Sequence, residues 1–292
     1  YICVELGELN RFHWLLSLNC GLYRLSLCYR TLPLTYNALL MGANSNRIML
    51  LNTTTERVST FVLSHFFDKN YKISSKNDGS VVTTVDLEAE TLAKATILDA
   101  FPEDGFLGGR RSIVQGTRGF RWVVDPIDGT ESFARGVPLF GTLLGLEHEG
   151  EPIAGAVNMP AMRESISAVI GEGVTHQGKE GVRVSSTDSL HTAMVCTTSY
   201  DYYKQTNSQS LYSKLLDCGC SIRGWSDCYG YMLLCTGRID AVVEPLLNPW
   251  DIIPWLPIIK ESGGKYTPIV QGGIASNHKL HDSLYHALSC TA

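Results

Sequence analysis

No stretch of the chain reaches the ~18 apolar residues that a bilayer-spanning helix needs. Arg, Asn and His break the richest stretch, so no membrane segment is expected. Basic runs are missing too: 24 Lys and Arg stand against 29 Asp and Glu, a net charge of -5. That balance gives no electrostatic reason for a nucleic-acid partner. Between Glu8 and Glu56 there is no acidic residue, while Arg11, Arg24, Arg30 and Arg47 lie among Leu, Ser, Cys and Tyr. Such a composition suits an organellar transit peptide, which would direct the protein to a plastid or another organelle. A poorly ordered extension on a cytoplasmic protein is the other reading. Residues 1–45 are therefore set apart as an N-terminal extension, and the opening at Tyr1 rather than Met suggests a fragment or a processed form. The nine cysteines form no framework: Cys218 and Cys220 are too close for a metal finger and the others are scattered. Reduced, buried thiols are expected. None of the eight histidines has zinc spacing.

What is present reads as one large or two intimately packed domains. A chain of 292 residues, 44% hydrophobic and 18% charged, can bury a sizeable core. Ile48 to Phe67 can form an amphipathic helix. Thr84 is a candidate cap for a second helix, with Asp86 and Glu88 in its first turn and Val85, Ala89, Leu92, Thr96 and Ala100 on one face. Trp122-Val123-Val124 is a strand that should stop at Asp125-Pro126. Leu143–Glu147 and Ile153–Val157 flank Glu149-Gly150, a hairpin signal. Further strands are expected at Ser165–Ile170, Met194–Thr198 and Ile239–Glu244, and helices at Leu211–Leu216, Tyr229–Cys235 and Trp250–Glu261. Gly263-Gly264 should end the last of these helices. Strands and helices mixed without a break predict an α/β or α+β layered fold.

The stretch richest in chemistry is Trp122-Val123-Val124-Asp125-Pro126-Ile127-Asp128-Gly129-Thr130. Two carboxylates stand three residues apart at a strand end. Pro126 stiffens the turn, and Gly129 lets the backbone approach a ligand closely. A helix starting after Gly129 would point free N–H groups at the same spot, which favours phosphate. Hard oxygen ligands for Mg2+ then adjoin a phosphate cradle. Taken alone, Asp-x-x-Asp-Gly is also the pattern of an ordinary capped turn.

Three separated motifs together resemble the inositol monophosphatase superfamily. They are Asp78-Gly79-Ser80 through Val82-Thr83-Thr84-Val85-Asp86, then Asp125 to Thr130, then Trp250-Asp251 with Gly263-Gly264 twelve residues beyond Asp251. The resemblance covers about Arg47 to the C-terminus. It implies a layered αβαβα sandwich over residues 46–292, with an N-terminal metal-binding half to about residue 185. It implies Mg2+ at two or three sites, ligated by Asp125, Asp128, Asp251 and the Ile127 carbonyl. Thr130, supported by Asp86, would orient the attacking water, and the Gly129 and Thr130 amides would hold phosphate. A homodimer acting on a small phosphorylated metabolite is also implied.

Arg135-Gly136-Val137-Pro138-Leu139-Phe140-Gly141-Thr142-Leu143 and Gly224-Trp225-Ser226-Asp227-Cys228-Tyr229-Gly230-Tyr231 are most similar to the histidinol-phosphate phosphatase branch, as is Leu256-Pro257-Ile258. Histidinol phosphate carries an ammonium and an imidazole, so its pocket needs acids; Asp227 and Glu244 are the implied partners. Asn248 and Trp250 would close the pocket, and His281 reads as structural. The chain departs from the family after Phe106-Leu107-Gly108. Gly109-Arg110-Arg111 stands where a metal-ligand Glu and a second Glu are usual. Glu103 and Asp104 lie on the wrong side of the strand to replace them. Three readings follow: a histidinol-phosphate phosphatase, an inositol monophosphatase, or a catalytically impaired homologue.

Overall fold

The computed structural model describes residues 34–75, 81–109, 112–225 and 227–289, with side chains from residue 45 onward except at residue 75. Residues 1–33, Asp78-Gly79-Ser80, Arg110-Arg111 and Ser226 lie outside the described residues. The helix expected at Ile48–Phe67 is the second half of α1 (Leu34–Asp68). Its buried residues Leu51, Val58, Val62 and Phe66 are spaced by seven, four and four, which is one helical stripe. Arg47 fixes this helix to the rest of the fold. Its guanidinium forks onto Asp104 with two bonds of 2.8 Å and lies between the rings of Phe101 and Phe120. Trp122 Nε1 also donates to Asp104, at 2.9 Å, so this buried carboxylate is used structurally. Glu103 pairs with Arg118.

A short antiparallel pair, β1 (Ile73–Ser75) and β2 (Val81–Thr83), leads into α2 (Thr84–Ala100). The cap is Thr83 rather than Thr84. Thr83 has the extended backbone a cap needs, and its side chain and that of Asp86 exchange bonds with each other's amides. The buried face also differs from expectation. It begins with Val85 and Ala89 but continues through Ala93 and Ile97, leaving Ala100 exposed.

The first sheet holds β3 (Gly105–Gly108), β4 (Ile113–Val114), β5 (Phe120–Asp128), β6 (Gly141–His148), β7 (Glu151–Met159), β8 (Glu164–Val169), β9 (Gly173–His176) and β10 (Lys179–Glu180). Its order is β10-β9-β8-β7-β6-β5-β3-β4, antiparallel except where β3 runs parallel to β5. The predicted Glu149-Gly150 hairpin joins β6 and β7. A six-residue helix, α3 (Thr130–Arg135), follows β5. The second sheet contains β11 (Met194–Thr197), β12 (Ser221–Arg223), β13 (Ala241–Glu244), β14 (Gly264–Ile269) and β15 (Gly272–Asn277), in the order β12-β11-β13-β15-β14. Around it lie α4 (Tyr200–Gln205), α5 (Gln209–Asp217), α6 (Asp227–Cys235), α7 (Pro249–Ile252), α8 (Trp255–Glu261) and α9 (His281–Ser289).

Strand alternation sorts the side chains into three cores. Trp122, Val124, Leu144 and Ala156 face α1 and α2. Their neighbours Leu143, Val157 and Ile166 face inward, meeting Met232 of α6, Trp255 and Ile258 of α8, and Val242 and Ala275 of the second sheet. Ala241, Val243 and Ile274 point the other way, onto Leu211, Leu215, Leu284 and Leu288 of α5 and α9. Both faces of both sheets are therefore covered, and the layers run α-β-α-β-α. Among the described residues all five cysteines are free.

The single helix expected over Trp250–Glu261 is broken into α7 and α8 at Ile253-Pro254. Pro254 lacks the amide that a continuous helix would use there. The broken corner sits on a paired Gly145 and Gly155 in β6 and β7. A Cβ on Gly145 would come within 3.1 Å of Pro254 Cα, and one on Gly155 would overlap the Pro254 carbonyl. Two bare backbones thus form the notch that seats the end of α7.

Candidate active site

Strand β5 does not stop at Asp125-Pro126 but runs on to Asp128, with its pairing to β6 shifted between Asp125 and Asp128. The irregularity admits Pro126, which has no amide for the ladder. It leaves Asp125 buried and Asp128 half-buried at the same strand end. Asp251 arrives from α7. Its Oδ2 accepts bonds from the Asn248 amide at 2.7 Å and from Asn248 Nδ2 at 3.0 Å, a capping arrangement that fixes the carboxylate. One oxygen from each of Asp125, Asp128 and Asp251 lies within 4.8 Å of the others. Burial, and then the charges of Asp227, Asp251 and Asp125, hold the Asp128 carboxyl well above the usual range. Such a concentration of hard anionic oxygens suits a divalent cation.

Gly129 follows with φ of 80°, a conformation that costs other residues strain. It must also be small: a Cβ there would stand 2.7 Å from the Leu139 carbonyl and 3.6 Å from Asp227 Oδ2. The segment around Leu139 therefore closes directly over the backbone at the start of α3. Thr130 Oγ1 lies 2.8 Å from the Ile127 carbonyl and 3.1 Å from Asp86 Oδ1. Asp86 Oδ2 accepts from the Thr83 amide at 2.8 Å and from Thr83 Oγ1 at 2.6 Å, so the carboxylate is clamped. The Thr-x-x-Asp pattern could have revealed Thr83 as its orienting partner.

The other acids lie beyond this cluster. Asp227, at the start of α6, has φ of 54°, which Asp tolerates better than most residues. Its oxygen faces Gly129, so it is turned toward the cluster. Glu244, at the end of β13, is buried; burial and the charges of Asp227, Asp128 and Asp251 push its carboxyl well above the ordinary value. Sequence reasoning missed Tyr202 on α4. Its phenol is pushed up to about 12 by burial and by those same four acids, which places it at their border. Nothing in the sequence separates Tyr202 from Tyr200 and Tyr203 on the same six-residue helix as part of a site.

Gly109 also lies at the cluster. Its amide donates to the Val124 carbonyl at 2.9 Å, one residue before Asp125. On its other side, a Cβ would stand 3.0–3.2 Å from the Trp250 indole. Trp250 thus packs onto Gly109 beside the cluster. Behind them Glu90 is buried and accepts from the Ser112 amide at 3.1 Å.

The inositol monophosphatase family profile matches residues 46–290. The chain belongs to that family. It is 37% identical over 210 residues to a histidinol-phosphatase of Chlorobaculum parvum, covering 72% of this chain and 80% of that protein. It is 32% identical over 232 residues to an inositol-1-monophosphatase of Caulobacter vibrioides, covering 74% and 90%. The crystal structure of the suppressor protein SuhB from Bartonella henselae superposes with a TM-score of 0.78 at 23% identity, over 85% of this chain and all of that one. The last match shows the fold alone. As a member of the inositol monophosphatase family the chain is a phosphatase, a phosphoric monoester hydrolase. Among the described residues no helix is long and apolar enough to cross a membrane.

Proposed function

We propose that the chain hydrolyses a small phosphomonoester bearing a cationic group, histidinol phosphate first among them, to the alcohol and inorganic phosphate. The observation that carries this reading is the pair Asp227 and Glu244. Both acids stand beyond the three-carboxylate cluster, and Glu244 is a buried carboxylate whose neighbours raise its proton affinity rather than neutralise it. A cationic substrate end supplies the missing counter-charge. The similarity to the Chlorobaculum parvum histidinol-phosphatase supports the same substrate.

Asp125, Asp128, Asp251 and the Ile127 carbonyl would hold Mg2+, whose chemistry is to lower the pKa of a water and to neutralise developing charge on phosphate and leaving oxygens. The chain's own residues orient the reaction. A Thr130 hydroxyl that donates its single proton to Asp86 keeps its lone pairs for an incoming water proton. The amides of Gly129 and Thr130, at the start of α3, would donate to a phosphate oxygen. The new bond forms between the water oxygen and phosphorus, and the ester P–O bond breaks on the opposite side. We also propose a homodimer, the state implied for the family.

A second reading, a weakened or silent homologue, is favoured by one observation: Gly109 brings no carboxylate between Asp125 and Asp251. Phosphate release from histidinol phosphate and from inositol 1-phosphate, each with Mg2+, separates these readings. A preference for the histidinol ester is expected. A preference for the inositol ester would overturn the substrate, and no turnover of either would leave only the silent homologue.

A further inference from the structure

Tyr231 Oη on α6, Glu244 Oε1 on β13 and Nε1 of Trp255, the ring that stacks on Tyr231, are buried and have no hydrogen-bond partner among the described residues. An unmet buried polar atom costs ~1–3 kcal/mol, so a protein retains one where something polar comes to meet it. The two oxygens are the acceptors of this set, and their side chains are neighbours. Tyr231 lies four residues beyond Asp227, the residue that opens α6. Its ring stacks on Trp255 with centroids 5.6 Å apart and planes 25° from parallel, which fixes where the phenol points. Burial, and after it the charge of Glu244, pushes the Tyr231 phenol upward, as expected for close neighbours.

The sheet shapes the remaining wall. Glu244 pairs with Gly273 across β13 and β15, and paired residues project on the same face. Gly273 has no side chain, and the tip of the Tyr266 ring occupies the space a Cβ would need. The Tyr266 hydroxyl donates to the Gly272 carbonyl at 3.3 Å. Tyr231, Glu244 and Tyr266 thus lie together beside β13, on the side toward Asp227. On the solvent side the same acids are bordered by Tyr202, which is 38% exposed.

We propose that Tyr231 is a specificity-determining residue, its hydroxyl accepting an N–H of the substrate's ammonium or imidazolium end while Glu244 pairs with that charge. The inference rests on the cationic-substrate reading given above. Glu244 alone would attract any cation. Two acceptors held apart call for two donors, which an ammonium or a protonated imidazole supplies together with a positive charge. A neutral polyol can offer two hydroxyl protons but leaves Glu244 without a counter-charge.

The test is Tyr231→Phe in the full chain, with steady-state kinetics on histidinol phosphate and inositol 1-phosphate and thermal unfolding without substrate. The variant removes only an oxygen that has no internal partner, so its Tm should equal or exceed that of the parent. KM for histidinol phosphate should rise about tenfold, with kcat within about twofold, and KM for the inositol ester should change by less than about twofold. If the Phe variant yields no soluble protein, Tyr231→Met carries the same expectations. An unchanged KM for histidinol phosphate, in an enzyme whose parent prefers it, overturns the role of Tyr231 alone. Equal rises for both esters do the same, since they mark a general loss of structure. A parent that shows no preference for the cationic ester overturns the substrate reading and this inference with it.

Discussion

Gly109→Glu places a fourth carboxylate beside the cluster, and its two opposing effects can be sized from the structure. The new Cβ leaves the main chain between β5, one residue ahead of Asp125, and the Trp250 indole, whose near edge is 3.0–3.2 Å away. Trp250 must yield by a few tenths of an ångström. Overpacking of that size costs about 1 kcal/mol, or roughly 2–4 °C in Tm for a chain of this size. Against this, a carboxylate about 4 Å from a divalent cation gains several kcal/mol at a screened dielectric. Repulsion from Asp125, Asp128 and Asp251 and the loss of hydration offset most of it. A net gain of about 1.4–2.8 kcal/mol corresponds to roughly ten- to a hundredfold tighter binding. Gly109→Ala carries the same Cβ without the charge and isolates the steric term. Mn2+ titration by calorimetry, with phosphate release against Mg2+ concentration, reads both effects. Gly109→Glu binding no more tightly than Gly109→Ala would refute the argument that a ligand position is missing there.

Thr130→Val removes the hydroxyl that lies within donating distance of Asp86 and of the Ile127 carbonyl while nearly keeping the volume. A loss of about 10²–10³ in kcat is expected with KM little changed; a variant retaining more than about a third of kcat would remove Thr130 from the chemistry. His281 is held between Ser276 Oγ, 2.7 Å from Nδ1, and Thr267 Oγ1, 2.8 Å from Nε2, and burial lowers its pKa. Because the unfolded ring titrates near ~6.5 and the folded one below it, the unfolded state binds more protons. The stability this neutral ring provides is complete above that pH and declines as pH falls through it. Urea midpoints between about pH 7 and about pH 5.5 should therefore drop more for the parent than for His281→Gln, and equal drops would contradict this assignment.

Much of the fold was legible because its signals are local. The apolar runs of β6 and β7, the Glu149-Gly150 turn between them and the helix at Leu211–Leu216 are all set within a few residues. Asp125, Asp128 and Asp251 do meet, as the motifs implied, and Thr130 does reach Asp86. The misreadings arose where distant parts of the chain decide. Nothing near Pro254 says that its corner will rest on Gly145 and Gly155, so one helix was expected where there are two. Pro126 suggested the end of a strand, but pairing with β6 resumes at Asp128 and carries β5 past it. Thr83 and Thr84 are equivalent by residue type, and only the reciprocal bonds with Asp86 select the first. Tyr202 carries no signal of its own, and Tyr231 had one only as part of the Gly224–Tyr231 motif, since the surroundings of each come from elements distant in sequence.

The notch formed by Gly145 and Gly155 bears on how the protein is made. The first sheet, with Asp125 and Asp128, is translated before any part of the layer that will cover its inner face. Until α6 and α8 emerge, Leu143, Val157 and Ile166 have no cover, and nascent chains at that stage should be clients for chaperones. The arrival of the Pro254 corner in its notch ends that interval, and the same docking event brings Asp251 to the two waiting carboxylates. Divalent ions should then slow unfolding of the finished protein while leaving the capture of nascent chains unaffected.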